Sequence, residues 1–124
     1  MRILVVEDDP LERVALRQVI EQEGYQVFVA ANGSVALDIM ATVHPHVVIT
    51  DWQVPGIAGE ELCHAIERLT PGVSIIVLSS AQEAFSSPVK VSVRLRKPVD
   101  VPQLRSILAA RTIDAQHTQY PEGL

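Results

Sequence analysis

Five polar side chains in this sequence have the types to act together: Glu7, Asp8, Asp51, Ser79 and Lys97. Each follows or closes a short apolar run. Glu7 and Asp8 follow residues 3–6, and Asp51 follows residues 47–50. Ser79 closes the run at 73–78, and Lys97 follows the one at 91–95. Three carboxylates brought to ~5 Å repel by roughly 3 kcal/mol per pair at an effective dielectric of ~20. Protonation or a cation must relieve that repulsion. All-oxygen ligation by carboxylates and water suits Mg2+, which also contacts phosphate. The Lys97 ammonium could pair with Asp51 or a phosphoryl oxygen, and the Ser79 hydroxyl could donate to the same group. The chemistry this set supports is phosphoryl transfer to a carboxylate, with the metal and lysine stabilising charge on the moving group.

The elements that must position these groups are legible in the pattern. Short β-rich runs alternate with helical segments. Asp9 is expected to cap a first helix, with Pro10 at its first position and Glu12 completing a capping box. Leu11, Val14, Ala15 and Val19 follow at helical spacing, and Gly24 stops the helix. Residues 25–30 predict a second strand, and Asn32-Gly33-Ser34 starts a second helix that ends by Pro45. A third helix is expected over 60–69. Asp100 and Gln103 open a last helix whose inner face is Leu104, Ile107 and Leu108.

Runs one, three and four are nearly all apolar, as strands covered on both faces should be. Runs two and five alternate, as expected at sheet edges. The fold expected is α/β: a flavodoxin-like, doubly wound (βα)5 parallel sheet with strand order 2-1-3-4-5. In such sheets ligands gather outside the carboxyl ends of the strands, which is where the five side chains fall.

The chain has 124 residues and a net charge of −5. That length suits one domain. The acidic balance disfavours nucleic-acid binding, which needs a basic face. The single cysteine, Cys63, excludes an intramolecular disulfide and is expected in the core. No signal peptide or membrane span is apparent, so a cytoplasmic protein is expected. Met1, directly before the first strand, is expected to be a natural start. Periodicity fades after about Ala110, which predicts a domain over 1–111 and a flexible tail over 112–124, with no DNA-binding domain.

The residues resemble the receiver domain of two-component response regulators. The matching stretches run in order: Ile3-Leu4-Val5-Val6-Glu7-Asp8-Asp9; Val47 to Asp51, Pro55-Gly56 and Gly59; Ile75-Ile76-Val77-Leu78-Ser79; and Lys97-Pro98. The resemblance implies Asp51 as phosphoacceptor, Ser79 as switch hydroxyl and Lys97 as phosphoryl contact with a cis bond to Pro98. It implies Mg2+ held by Asp8, Asp51 and the backbone carbonyl of Gln53, and by Glu7 through water. It further implies a histidine kinase or phosphotransfer protein as donor, with relay through contacts to a downstream protein. Such a domain assists its own phosphorylation and is not an enzyme acting on outside substrates.

Two departures stand out. Three places before the lysine the family usually has an aromatic ring, and here stands Arg94, which could not be buried cheaply without a partner. The stretch between Ser79 and Lys97 is short and holds Ser86-Ser87-Pro88, so a short or irregular fourth helix is expected there.

Other readings compete. A haloacid-dehalogenase-like phosphatase needs a second acid two places after its aspartate, and Gln53 stands there. A flavin carrier needs a hydroxyl- and glycine-rich loop after the first strand, where this chain has acids. A degenerate receiver serving as a phosphorylation-independent scaffold is the third. Taken singly, each site residue has a plainer account: a helix-end acid, a turn aspartate, a surface lysine. His44 and His46, around Pro45, suggest a solvated loop, because no third metal ligand follows at useful spacing. Lys90, Arg94, Arg96 and Lys97 form a basic cluster as consistent with guarding a sheet edge as with an acidic partner. Trp52, next to the acceptor, should report on metal binding by its fluorescence.

Overall fold

Continuous β-branched and leucine runs form the inner strands, and amphipathic segments with cap residues form the helices between them. The computed structural model describes residues 1–80 and 91–119, with 114–119 described by backbone alone. The order is β1 (Arg2–Val6), α1 (Pro10–Gln22), β2 (Gln26–Ala30), α2 (Gly33–Val43), β3 (Val47–Asp51), α3 (Gly59–Leu69), β4 (Ser74–Ser79), β5 (Val93–Arg96) and α4 (Val101–Gln119). The five strands make one sheet in the order β2-β1-β3-β4-β5, with every neighbour parallel. This is the flavodoxin-like order expected from the sequence. The short fourth helix expected between the last two strands falls on 81–90, outside the described residues, so α4 here follows β5.

Alternation along each strand sends successive side chains to opposite faces. Leu4, Val6, Val48, Ile75 and Val77 meet Ala36, Met40, Leu62, Cys63 and Ile66 from α2 and α3. Ile3, Val5, Val47, Ile49, Ile76 and Leu78 meet Leu16, Ile20, Leu104 and Leu108 from α1 and α4. Each fully buried Leu or Ile contributes about 1.5–3 kcal/mol by leaving water. Cys63 is buried, and burial pushes its thiol up to about 11, so it behaves as a small core side chain.

The caps follow the sequence in most places. The Asp9 Oδ1 accepts from the backbone N–H groups of Leu11 (2.9 Å) and Glu12 (3.3 Å). The Asn32 Oδ1 accepts from Val35 N–H at 2.9 Å, and Asp100 Oδ1 from Gln103 N–H at 3.1 Å. His46 departs from the solvated loop expected of it. It is half-buried, and its Nδ1 accepts the Arg2 N–H at 3.0 Å.

The last helix also departs. A tail was expected from residue 112, yet α4 continues to Gln119. The Thr112 hydroxyl bonds the Leu108 carbonyl and the Tyr25 hydroxyl, both at 2.9 Å. Ala, Arg and Gln sustain a helix by intrinsic propensity without an apolar stripe, so fading periodicity did not mark its end.

The loop after β3 is pinned by two glycines. Gly33 N–H donates to the Pro55 carbonyl at 3.1 Å. A Cβ on Gly59 would run into the Trp52 carbonyl oxygen and indole ring. Gly59→Ala is therefore expected to destabilise the fold by about 1–3 kcal/mol. Urea unfolding followed through Trp52 emission checks this, and an unchanged midpoint would show that the loop yields freely.

Candidate functional site

The strand register gathers the chemistry on one rim. Val6 pairs with Thr50, Asp51 with Leu78, and Ser79 with Arg96. The carboxyl ends of β1, β3, β4 and β5 therefore lie side by side, and the residues just beyond them share one edge.

From β1, Glu7 N–H still bonds the Ala30 carbonyl (3.0 Å), which carries the chain one step past the strand. The Glu7 side chain is buried, at 1% exposure, whereas Asp8 is exposed. Glu7 Oε2 accepts the Asp9 N–H at 3.3 Å. The Arg13 guanidinium, from α1, donates to the Glu7 carbonyl at 2.9 Å and the Asp8 carbonyl at 3.4 Å. These contacts fix the β1–α1 turn. From β3, Asp51 is followed by a Trp52 N–H bonded to the Leu78 carbonyl at 2.8 Å.

One oxygen each from Glu7, Asp8 and Asp51 lies within 4.8 Å of the others. Lys97 comes in from the end of β5, its N–H held by the Ser79 carbonyl at 2.9 Å, and its bond to Pro98 is cis. Its Nζ donates to Glu7 Oε1 (2.9 Å), Asp51 Oδ2 (3.1 Å) and Glu12 Oε2 (2.8 Å). Beside this cluster a cleft of about 230 Å³ opens between α1 and the β5–α4 loop, polar at Glu7, Glu12 and Lys97 and apolar at Leu16, Val19 and Val99.

Burial is the largest influence on Glu7 and pushes its carboxyl up to about 7. The hydrogen bond with Glu12 and the nearby Asp51 charge add to it, while Lys97 and the Asp9 N–H oppose it. Glu12 is held below the ordinary carboxylate range by its bond to Glu7 and then by Lys97. Burial works against the Lys97 charge, but Glu12, Glu7 and Asp51 outweigh it and hold the ammonium above its ordinary range. The cluster is thus a buried acid, a cation and two further acids that share charge and protons. Groups perturbed by burial and by specific charge partners beside a cleft make this rim the candidate functional site.

Of the residues singled out by sequence, Glu7, Asp8, Asp51 and Lys97 come together. Ser79 is buried, at 8% exposure, on the same rim, but no hydrogen bond among the described residues joins its hydroxyl to Asp51. Gln53 is exposed in the loop that follows Asp51. Arg94 is exposed on β5, so the cost of burying its charge does not arise. Glu12 was given only a capping role and is the residue that sequence reasoning missed. Its place one helical turn past Asp8, on the helix beginning at the same rim, was the signal available.

A profile of the response regulator receiver domain matches residues 3–109. The chain belongs to the response regulator receiver domain family. This receiver domain is 32% identical over 108 residues to Sporulation initiation phosphotransferase F of Bacillus subtilis, across 84% of this chain and 87% of that protein. It is 36% identical over 80 residues to Response regulator MprA of Mycolicibacterium vanbaalenii, across 64% of this chain. That stretch is 35% of MprA, so the receiver domain spans only part of such longer relatives. The signal receiver domain of a putative Luxo repressor protein from Vibrio parahaemolyticus superposes with a TM-score of 0.86, over 99% of this chain and 98% of that one. At 22% identity, that likeness is one of fold. Among the described residues no helix is long and apolar enough to cross a membrane.

Proposed function

We propose that this receiver domain is a phosphorylation-dependent signalling switch in which Asp51 accepts the phosphoryl group. The observation that carries this reading is the meeting of Asp51 with Glu7 and Asp8 within 4.8 Å and with Lys97 Nζ at 3.1 Å. An Asp51 oxygen forms the new O–P bond while the donor's P–N or P–O bond breaks. The leaving imidazole or carboxylate takes the electron pair. The donor is a histidine kinase or phosphotransfer protein, and the exposed Leu11 and Val14 on α1, beside the cluster, suit an apolar docking contact. The signal leaves through contacts with a downstream protein. Acting once on itself, the domain is a substrate that assists its own modification rather than an enzyme for outside esters.

The carboxylate oxygens of Glu7, Asp8 and Asp51, with the Gln53 carbonyl in the adjoining loop, are a hard, all-oxygen donor set that fits Mg2+. When bound, the ion would neutralise phosphoryl oxygens and the acids around them. The chain's own groups do the rest. Glu7 and Asp8 set the negative field that draws a cation in. Lys97 holds an Asp51 oxygen and faces the incoming charge. Ser79, at the end of β4, offers a hydroxyl on the same rim.

Incubation with Mg2+ and acetyl phosphate, followed by intact mass, tests the reading. One added phosphoryl group is expected, and Asp51→Asn should abolish it. A wild-type protein that gains nothing across pH and donor concentration would instead favour a phosphorylation-independent scaffold.

A further inference from the structure

The Lys97 ammonium carries three N–H donors, and three carboxylates take them: Glu7 at 2.9 Å, Asp51 at 3.1 Å and Glu12 at 2.8 Å. No N–H is left for a newcomer. A phosphoryl group on Asp51 would bring further acceptor oxygens to the same point, so one existing bond must yield. The three partners differ in what yielding costs them. Glu7 is 1% exposed, so water cannot take the lysine's place there. Asp51, at 14%, is the acceptor itself. Glu12 has a side chain 48% exposed, and water can replace the lysine there. Glu12 is also the only one of the three anchored on a helix rather than on a strand end.

We propose that Glu12 is a positioning residue that holds the Lys97 ammonium against α1 at rest and gives it up to the phosphoryl group on Asp51. The inference rests on the phosphoacceptor reading and adds to it the step by which the lysine becomes available. The tether lowers the rate at which Lys97 meets an incoming donor, so it sets how readily the switch fires. A glutamate there is neither a metal ligand of the cluster nor part of the helix cap, since Asp9 takes the cap N–H groups. Its carboxylate is spent on Lys97 and Glu7.

Reach separates this role from plain charge. Glu12→Ala removes the tether, and Glu12→Asp keeps the charge but falls one methylene short. Both variants are expected to speed phosphorylation by acetyl phosphate and Mg2+ about two- to five-fold, the size of one half-exposed ion pair, as followed by Trp52 emission. If Glu12→Asp reacts like the wild type while Glu12→Ala is faster, charge alone is at work and the tether is overturned. Hydrogen exchange of the Lys97 ammonium protons, followed by NMR on the metal-free protein, gives a second readout that needs no phosphorylation. Exchange should quicken in both variants, and unchanged exchange in both overturns the proposal. Faster exchange in a protein that never accepts phosphate would leave only the resting Glu12–Lys97 contact, overturning both the hand-over to phosphate and the phosphoacceptor reading.

Discussion

Lys97→Met is expected to slow phosphoryl transfer to Asp51 by about a hundred- to a thousand-fold, the usual cost of losing one donor aimed at developing charge. The same change should tighten Mg2+ binding. The ammonium sits at hydrogen-bond distance from Glu7 and Asp51, two of the three carboxylates offered to the metal. A resident positive charge repels a second cation drawn to the same oxygens. Two unit charges ~4 Å apart interact by about 4 kcal/mol at an effective dielectric of ~20, so even a lysine that swings partly aside leaves room for a gain of roughly ten-fold. The two effects go in opposite directions, which sets this variant apart from one that simply damages the site. The time course of mass gain measures the slower transfer. Titrating Mg2+ against Trp52 emission at pH 8, where Glu7 is most readily ionised, measures the tighter binding. A variant phosphorylated at the wild-type rate would mean that Lys97 serves only to neutralise the acids.

The rim was legible because it is built from strand ends. Each of Glu7, Asp51, Ser79 and Lys97 stands where an apolar run stops, and parallel strands of similar length must end together. What lay beyond local pattern was Glu12. A capping box was expected, with Glu12 reaching back to the cap, because that spacing is visible within four residues. The structure gives the reach-back bond to Glu7, whose Oε2 accepts the Asp9 N–H, and turns Glu12 to Lys97 across 85 positions of sequence. Tertiary charge outcompeted a local hydrogen bond, and no window of helical periodicity contains Lys97. The end of α4 was missed for a different reason. Periodicity detects an apolar face, and the last turns of that helix are sustained by propensity instead. His46 was placed in a solvated loop because no third metal ligand follows at useful spacing. Its acceptor nitrogen is satisfied by Arg2 N–H, a strand neighbour that only the β1–β3 pairing reveals.

Without metal, the fold is expected to lose stability as pH rises from 5 to 8. Glu7 is pushed up from 4.5 to about 7 by burial, so the folded chain binds a proton that the unfolded chain has released. An acid raised in this way stabilises fully below its unfolded value, and the contribution is gone once pH passes its folded value. Integrated across that window, the loss is about 2–3 kcal/mol, since each tenfold difference in proton affinity between folded and unfolded chain is worth about 1.4 kcal/mol. Glu12 is shifted down from 4.5, so its contribution is already complete at pH 5 and adds no slope. Lys97 is shifted up and stays charged throughout. His46 works the other way. Burial lowers it from 6.5, so its contribution is lost as pH falls and partly masks the Glu7 slope at the acid end. Glu7→Gln separates the two, because it keeps the shape and removes the titration. Urea unfolding at pH 5 and pH 8 should show the wild type losing about 2–3 kcal/mol more than the variant. Saturating Mg2+ should then erase the wild-type loss, because the ion binds the ionised Glu7 that high pH supplies. Equal slopes in the wild type and Glu7→Gln would mean that the buried carboxyl stays charged, paired with Lys97 through the whole range.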